Sequence, residues 1–304
     1  MKAVVLRETG NPETLSVDDV PEPEPGDGQV RLQVRASGIN FLDVLVRQGR
    51  YPQMPELPTI LGVEVAGDVD GRRVIALPQE GGYAEEVSVA ADGLVPLPDG
   101  ASYEEGASFL MTFLTAYIPL TRQVRVEPGQ TVLVHAGAGG VGGAAIQLAK
   151  HFGAHVVATA GSEEKRAFAR EHGADEAFGY EEFAEHVRAD IVLDPVGGEL
   201  VAVSHKVLKP LGAHVLLGFA GGWWEPVDPA LLVGRNVSLV GFYLGRLMRL
   251  APEVVRAATT ELMSLWSEGA VRPIVGSTFP LADADAAHRL IEERKHVGKV
   301  VLVR

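Results

Sequence analysis

The sequence predicts an α/β protein in which a β-rich N-terminal region precedes a doubly wound parallel sheet. Three observations predict it. The first ~110 residues alternate apolar and polar positions between prolines, as where Val30, Leu32 and Val34 are set against Gln29, Arg31, Gln33 and Arg35. From Thr131 onward, short and wholly apolar runs alternate with amphipathic stretches, the pattern of parallel strands covered by helices on both faces. Between the first such run and the first such helix lie five glycines within the seven residues from Gly137 to Gly143.

The elements follow in order. "QVRLQVRA" is a half-buried strand, and "VPEPEPGDGQ" and "YPQMPELPTILG" carry prolines that forbid long helices and favour turns. "GGYAEEVSVAADGLVPLPDG" adds two strand-and-turn units, and "ASFLMTFLTAYIPLTRQV" is helix-like. Then come strand "TVLVHA", helix "VGGAAIQLAKHFG", strand "AHVVATA" and helix "SEEKRAFAREHG", the last with Ser162 as N-cap and two acids in its first turn. Strand "ADIVLDPVG", helix "GELVAVSHKVLKPLG", strands "AHVLLGF" and "NVSLVGF" and helix "APEVVRAATTELMSLWSEG" complete the alternation. The tail from Val271 reads as a strand-like turn, a helix and a final strand "KVVLV". No internal repeat or low-complexity segment interrupts the chain.

Composition narrows the function classes. The chain of 304 residues is 46% hydrophobic and 22% charged, as for a globular protein with a substantial core. Its net charge of −13 with scattered basic residues argues against a nucleic-acid or anionic-membrane surface. The absence of cysteine rules out disulfides and thiolate-ligated metals and fits a reducing compartment. No run approaches the ~18 apolar residues of a membrane span. A soluble, cytoplasmic protein is expected.

Gly137, Gly139 and Gly142 satisfy G-x-G-x-x-G directly after a strand and at the opening of a helix, where backbone N–H groups and the helix dipole can hold a pyrophosphate. A tight turn needing positive φ is the alternative, and it would account for one or two glycines rather than five. The second strand ends in Ala158, Thr159, Ala160, Gly161 and Ser162, without the acid that usually binds the ribose hydroxyls of NAD. Ser162 and Lys165 can instead take a 2′-phosphate, so NADPH is the expected cofactor. Glu163 and Glu164 must then point away.

Along its full length the chain resembles the zinc-independent, zeta-crystallin-like quinone oxidoreductases of the medium-chain dehydrogenase/reductase superfamily. The resemblance rests on "SGINFLDVLVRQGRYP", "LPTILGVEVAGDV", "GGYAEEV", "FLTAY", "HAGAGGVGGAAIQLAKHFGA", "HGAD", "DPVGG" and "GKVVL". It implies a GroES-like catalytic domain over residues 1–112, completed by 257–304, and a Rossmann-type NADPH domain over 113–256, with the substrate cleft between them. Zinc alcohol dehydrogenases of the superfamily have Cys in place of Asn40 and Gly-His-Glu in place of Gly62-Val63-Glu64, so no metal is expected.

The resemblance also assigns roles. Thr115 contacts the nicotinamide, Gly140 and Val141 the pyrophosphate, and Lys165 the 2′-phosphate. Tyr180 lies along the adenosine, Phe219 offers backbone groups to the carboxamide, and Arg294 adds charge toward the phosphates. Asn40 donates a hydrogen bond to the substrate oxygen as hydride arrives, or is a turn-forming residue. Asp43 orients Asn40 or pairs with Arg47 one helical turn later; the pair is the favoured reading. Tyr51 donates a proton, packs on the quinone, or covers the core. Glu64 is expected to be structural, His135 a satisfied core residue, and Trp223 with Trp224 a lid or, preferably, a subunit contact.

The expected reaction is NADPH-dependent reduction of a quinone or related conjugated carbonyl. An enoyl or 2-alkenal reductase is the nearest rival, weakened by Leu45 standing where a tyrosine is common. A redox-sensing NADPH-binding module with little turnover is the rival of another class. A homodimer through the edge strand at 236–242 is expected.

Overall fold

The strand Gln29–Ile39 organises the N-terminal part of the chain. Its outer half alternates exposed and buried residues, and its last four are all buried. It pairs antiparallel with Val65–Val69 on one side and with the C-terminal strand Lys299–Val303 on the other, while Glu86–Ala90 pairs with its N-terminal half. Strands Arg72–Ala76, Val95–Pro96 and Val275–Pro280 extend this to seven, and a second sheet joins Lys2–Leu6 to Leu15–Asp19 and Thr59–Ile60. Val4, Leu6, Ile39, Val44, Tyr83 and Ile291 form one buried cluster, and Leu32, Val34, Val65 and Val87 belong to another.

The computed structural model describes residues 1–224 and 226–304 and divides the chain into two compact units. The first comprises Met1–Met111 with Pro273–Arg304, the second Thr112–Arg272. The chain therefore returns to the first unit at Pro273 rather than at 257. Position 257 falls inside the continuous helix Pro252–Ser267, whose Ala258, Leu262 and Trp266 are buried. Beyond that helix Arg272 is tied to Gln147 of the second unit, its N–H donating to Oε1 (2.8 Å) and its carbonyl accepting from Nε2 (2.9 Å).

The second unit contains a six-stranded, all-parallel sheet. Its spatial order is Glu176–Phe178, His155–Thr159, Thr131–Val134, Ala189–Asp194, Leu208–Leu216 and Ser238–Gly241. Numbered along the chain this is 3-2-1-4-5-6, so the order reverses between Thr131–Val134 and Ala189–Asp194, where a doubly wound sheet opens a crevice at its carboxyl ends. The segment "LKPLG", expected as the end of a helix, is the start of the fifth strand, because the helix closes at Val207 and Leu208 pairs with Ala189. Among the described residues no helix is long and apolar enough to cross a membrane.

Candidate active site

In the second unit the strand Thr131–Val134 leads through the glycine loop into the helix Gly140–His151. The loop's left-handed residue is Ala136 (φ 53°), and none of the glycines from 137 to 143 has positive φ. Positive φ therefore does not account for them; space accounts for two. A Cβ on Gly137 would stand 2.8 Å from that of Ala158, and one on Gly142 only 2.2 Å from the carbonyl oxygen of Ala136. Gly137 and Gly142 are buried, whereas Gly139, Gly140 and Val141 are half-exposed. A Cβ on Gly139 would meet nothing closer than 3.4 Å, so the fold itself has little need of glycine there. Gly139 is the N-cap of the helix and offers no side chain to the first amides. The Gly139 N–H donates to the Ala136 carbonyl (2.9 Å), which leaves the first amides of the helix, from Gly140 onward, as the donors that fit a diphosphate on the rim of the switch point.

The end of the second strand suits a 2′-phosphate. Ser162 caps the helix Glu163–Glu171, its hydroxyl accepting from the Lys165 N–H (3.3 Å). Glu163 is engaged by Arg166 (2.9 Å) and Arg170 (2.5 Å), whose hydrogen bonds hold its carboxyl below the usual range. Tyr180 is half-buried and approaches the same turn, since a Cβ on Gly161 would lie 3.9 Å from its ring. Thr115 is half-buried on the helix Leu110–Ile118. Phe219 makes edge contacts with Trp223 and Trp224 at 5.0 Å, and Trp224 Nε1 donates to the Gly218 carbonyl (2.9 Å). Trp223 remains 59% exposed.

Beneath the glycine loop His135 is fully buried, with Nδ1 on Thr159 Oγ1 and Nε2 on Ser204 Oγ, both at 2.8 Å. Burial pushes its pKa down to about 4, so it is a neutral core residue. Asp194, at the end of the fourth strand, accepts from the amides of Val196 (2.7 Å) and Gly197 (2.9 Å) and from His214 (3.1 Å). Burial alone would raise this carboxyl, but its hydrogen bonds and neighbouring histidines hold it below its usual value. It had no assigned role in the sequence reading.

The other candidates lie in the first unit. Asn40 is half-buried at the N-cap of the helix Phe41–Arg47. Asp43 Oδ2 accepts from the Asn40 N–H (2.7 Å), and Oδ1 from the Gly62 N–H (3.3 Å). The favoured Asp43–Arg47 pair does not form. An acid in the first turn is drawn to the orphan amides there, while Arg47, fully buried, binds Glu292 (2.7 Å) and the Gly10 carbonyl. Burial pushes the Asp43 carboxyl up to about 6, against the pull of the Asn40 amide, the Lys299 ammonium and the Gly62 amide. Tyr51 packs half-buried against the apolar cluster around Val4 and Ile39. Arg294 is exposed, with φ 54°, just beyond the helix Ala284–Glu292.

Sequence reasoning missed Lys299, which sat unremarked within "GKVVL". Its ammonium is buried and donates to Glu64 Oε2 (2.7 Å) and to Asn40 Oδ1 (2.6 Å). Sheet register explains the meeting. Val300 opposes Ile39, and Val65 opposes Ser37, so Lys299, Asn40 and Glu64 fall at one end of three adjacent strands. Glu64 is fully buried and also accepts from the Met111 N–H (2.9 Å).

Residues 140–263 match the family model described as a zinc-binding dehydrogenase, and residues 26–99 that of the alcohol dehydrogenase GroES-like domain. The quinone oxidoreductase of Thermus thermophilus, whose structure is known with NADPH, is 42% identical, with 100% of both chains covered and a TM-score of 0.93. The Pseudomonas aeruginosa quinone oxidoreductase is 34% identical over 328 residues, 99% of each chain. The rat synaptic vesicle membrane protein VAT-1 homolog is 33% identical over 340 residues, spanning 100% of this chain and 84% of that protein. Both halves match in order and the relatives align almost end to end: the chain belongs to the zinc-independent quinone oxidoreductase family of the medium-chain dehydrogenase/reductases.

Proposed function

We propose that this protein is an NADPH-dependent reductase of quinones and related conjugated carbonyls. When bound, NADPH supplies the hydride, and the protein's task is to hold, orient and stabilise. The amides of Gly140 and Val141 take the diphosphate at the start of the helix Gly140–His151, and Gly139, whose own N–H donates to the Ala136 carbonyl (2.9 Å), leaves room for it to approach. Ser162 and Lys165 take the 2′-phosphate, Tyr180 lies along the adenosine, and Thr115 and Phe219 meet the nicotinamide end. Arg294 adds positive charge toward the phosphates. Asn40 Nδ2 donates to the acceptor oxygen as negative charge develops there. Asp43 positions Asn40 by binding its backbone N–H, and Tyr51 covers the apolar floor of its own unit.

The observation that carries this reading is the glycine at 139, which the fold does not need and which stands beside the first amides of the helix Gly140–His151, where a diphosphate would approach. Stopped-flow oxidation of NADPH by a panel of benzoquinones and naphthoquinones tests it. Saturable turnover with NADPH preferred over NADH is expected. Faster turnover of alkenals or crotonyl thioesters would replace it with an enoyl reductase. Tight NADPH binding without consumption on any acceptor would favour a sensing module.

The protein acts as a cytoplasmic homodimer in this proposal. Ser238–Gly241 is an end strand of the six-stranded sheet, and the preceding helix Pro229–Arg235 exposes Leu231 (54%) and Val233 (78%). An unpaired edge beside exposed apolar side chains favours pairing with a second copy. Sedimentation at the 32.3 kDa of one chain would overturn it.

A further inference from the structure

Asn40 carries an amide whose two ends are nearly the same shape and opposite in hydrogen-bonding sense. A flip about its last torsion would aim a carbonyl oxygen, rather than an N–H, at an incoming substrate oxygen. Something must choose between the two orientations. An ammonium group can only donate and an ionised carboxylate can only accept. Lys299 Nζ stands 2.6 Å from Oδ1, and Glu64 Oε2 stands 3.4 Å from Nδ2. The Gly38 carbonyl, also an acceptor, lies 3.2 Å from Nδ2. All three neighbours specify one orientation.

We propose that Lys299, held by Glu64, is a positioning residue that locks the Asn40 amide with its N–H end available to the substrate oxygen. This rests on the proposed role of Asn40 in hydride transfer. The pair is itself fixed. Lys299 is 4% exposed and Glu64 is fully buried, with Glu64 Oε1 occupied by the Met111 amide and Oε2 by the ammonium (2.7 Å). The Nδ2–H facing Glu64 makes a bond at the long end of the hydrogen-bonding range, so it is the donor most readily transferred to an oxygen acquiring charge. The ammonium against Oδ1 polarises the amide and makes its N–H groups better donors.

The test is a pair of variants read in two ways. Lys299→Met alone leaves Glu64 as a buried, unpaired charge and can fail to fold. Lys299→Met with Glu64→Gln removes both charges and keeps the acceptor for the Met111 amide. It also sets an amide donor beside Asn40, which favours the flipped orientation. The first readout is kinetic. The double variant is expected to lower kcat about 30-fold while NADPH affinity and the quinone KM stay within about threefold. In an Asn40→Ala background the same two changes should cost less than about threefold, because a positioning residue has nothing left to position. An equal loss in both backgrounds would overturn the proposal.

The second readout needs no turnover. The chain has three asparagines, Asn11, Asn40 and Asn236, so ¹⁵N-asparagine labelling gives three side-chain amide pairs. The Asn40 pair is expected to shift or broaden in the double variant, with those of Asn11 and Asn236 unchanged. An unmoved Asn40 pair would overturn the positioning role. If the wild-type protein reduced no quinone, the catalytic reading would fall and this readout would still decide whether Lys299 sets the amide.

Discussion

In the proposed function, the glycine loop of the second unit and the Asn40 corner of the first meet negative charge by opposite means. The loop removes side chains from around the first amides of the helix Gly140–His151, and it uses no charged group within residues 137–143. The Asn40 corner gathers charge and buries it, with Lys299 on Glu64 at 2.7 Å. Backbone donors need no counterion and tolerate no added atom. A buried ion pair depends on its two partners and does not tolerate the loss of one. Each region should therefore fail in its own way.

The largest expected effect breaks the loop. Gly142→Ala sets a Cβ 2.2 Å from the Ala136 carbonyl, which is backbone and cannot swing aside. A loss of about 3 kcal/mol in stability and undetectable NADPH binding by calorimetry are expected. Gly139→Ala should leave stability within about 0.5 kcal/mol while weakening NADPH about tenfold, because only the ligand needs that space. If Gly139→Ala unfolded the protein as readily, the loop would be a packing device and not a cradle.

A smaller effect concerns which dinucleotide enters. Lys165→Ala should reduce the preference for NADPH over NADH by about 10–100-fold, the worth of one charge-assisted hydrogen bond, without altering NADH affinity. An equal loss for both cofactors, measured by fluorescence titration, would place Lys165 away from the 2′-phosphate.

The smallest effect separates the two units by pH. Burial holds His135 and His205 of the second unit at about 4 and His288 of the first at about 3. An unfolded histidine takes its proton near 6.5, so each of these groups withdraws stability as pH falls from 6.5 toward 4. Asp43 works the other way. Its carboxyl, raised to about 6 in the folded chain from an ordinary 3.8, takes up a proton earlier when folded and adds stability as pH falls through that window. The first unit thus offsets one histidine with one acid, and the second has two histidines without that relief. Hydrogen exchange at pH 5 should lose protection in strands Thr131–Val134 and Leu208–Leu216 before strand Gln29–Ile39. The reverse order would show that other groups govern acid stability.

The loop was legible because its determinants are contiguous. Glycine spacing, the apolar run before it and the helix after it all lie within a short stretch, and the next strand's end showed the missing acid. Residues of the Asn40 corner are 24, 235 and 259 positions apart in the chain. No periodicity joins them. Arg47 was misassigned for the same reason: an acid one turn earlier was visible, whereas Glu292 stands 245 positions away.

The sequence by itself determined the alternation of strands and helices, the turn that exposes bare amides, and the absence of a carboxylate where NAD would need one. Each is a local property, written in propensity, spacing and side-chain chemistry. Only the tertiary structure decided which charges share the interior. Antiparallel pairing of Lys299–Val303 and Val65–Val69 on either side of Gln29–Ile39 brings a cation 259 positions away and an acid 24 positions away to Asn40. Strand register is a long-range agreement between backbones, and that agreement orients the amide.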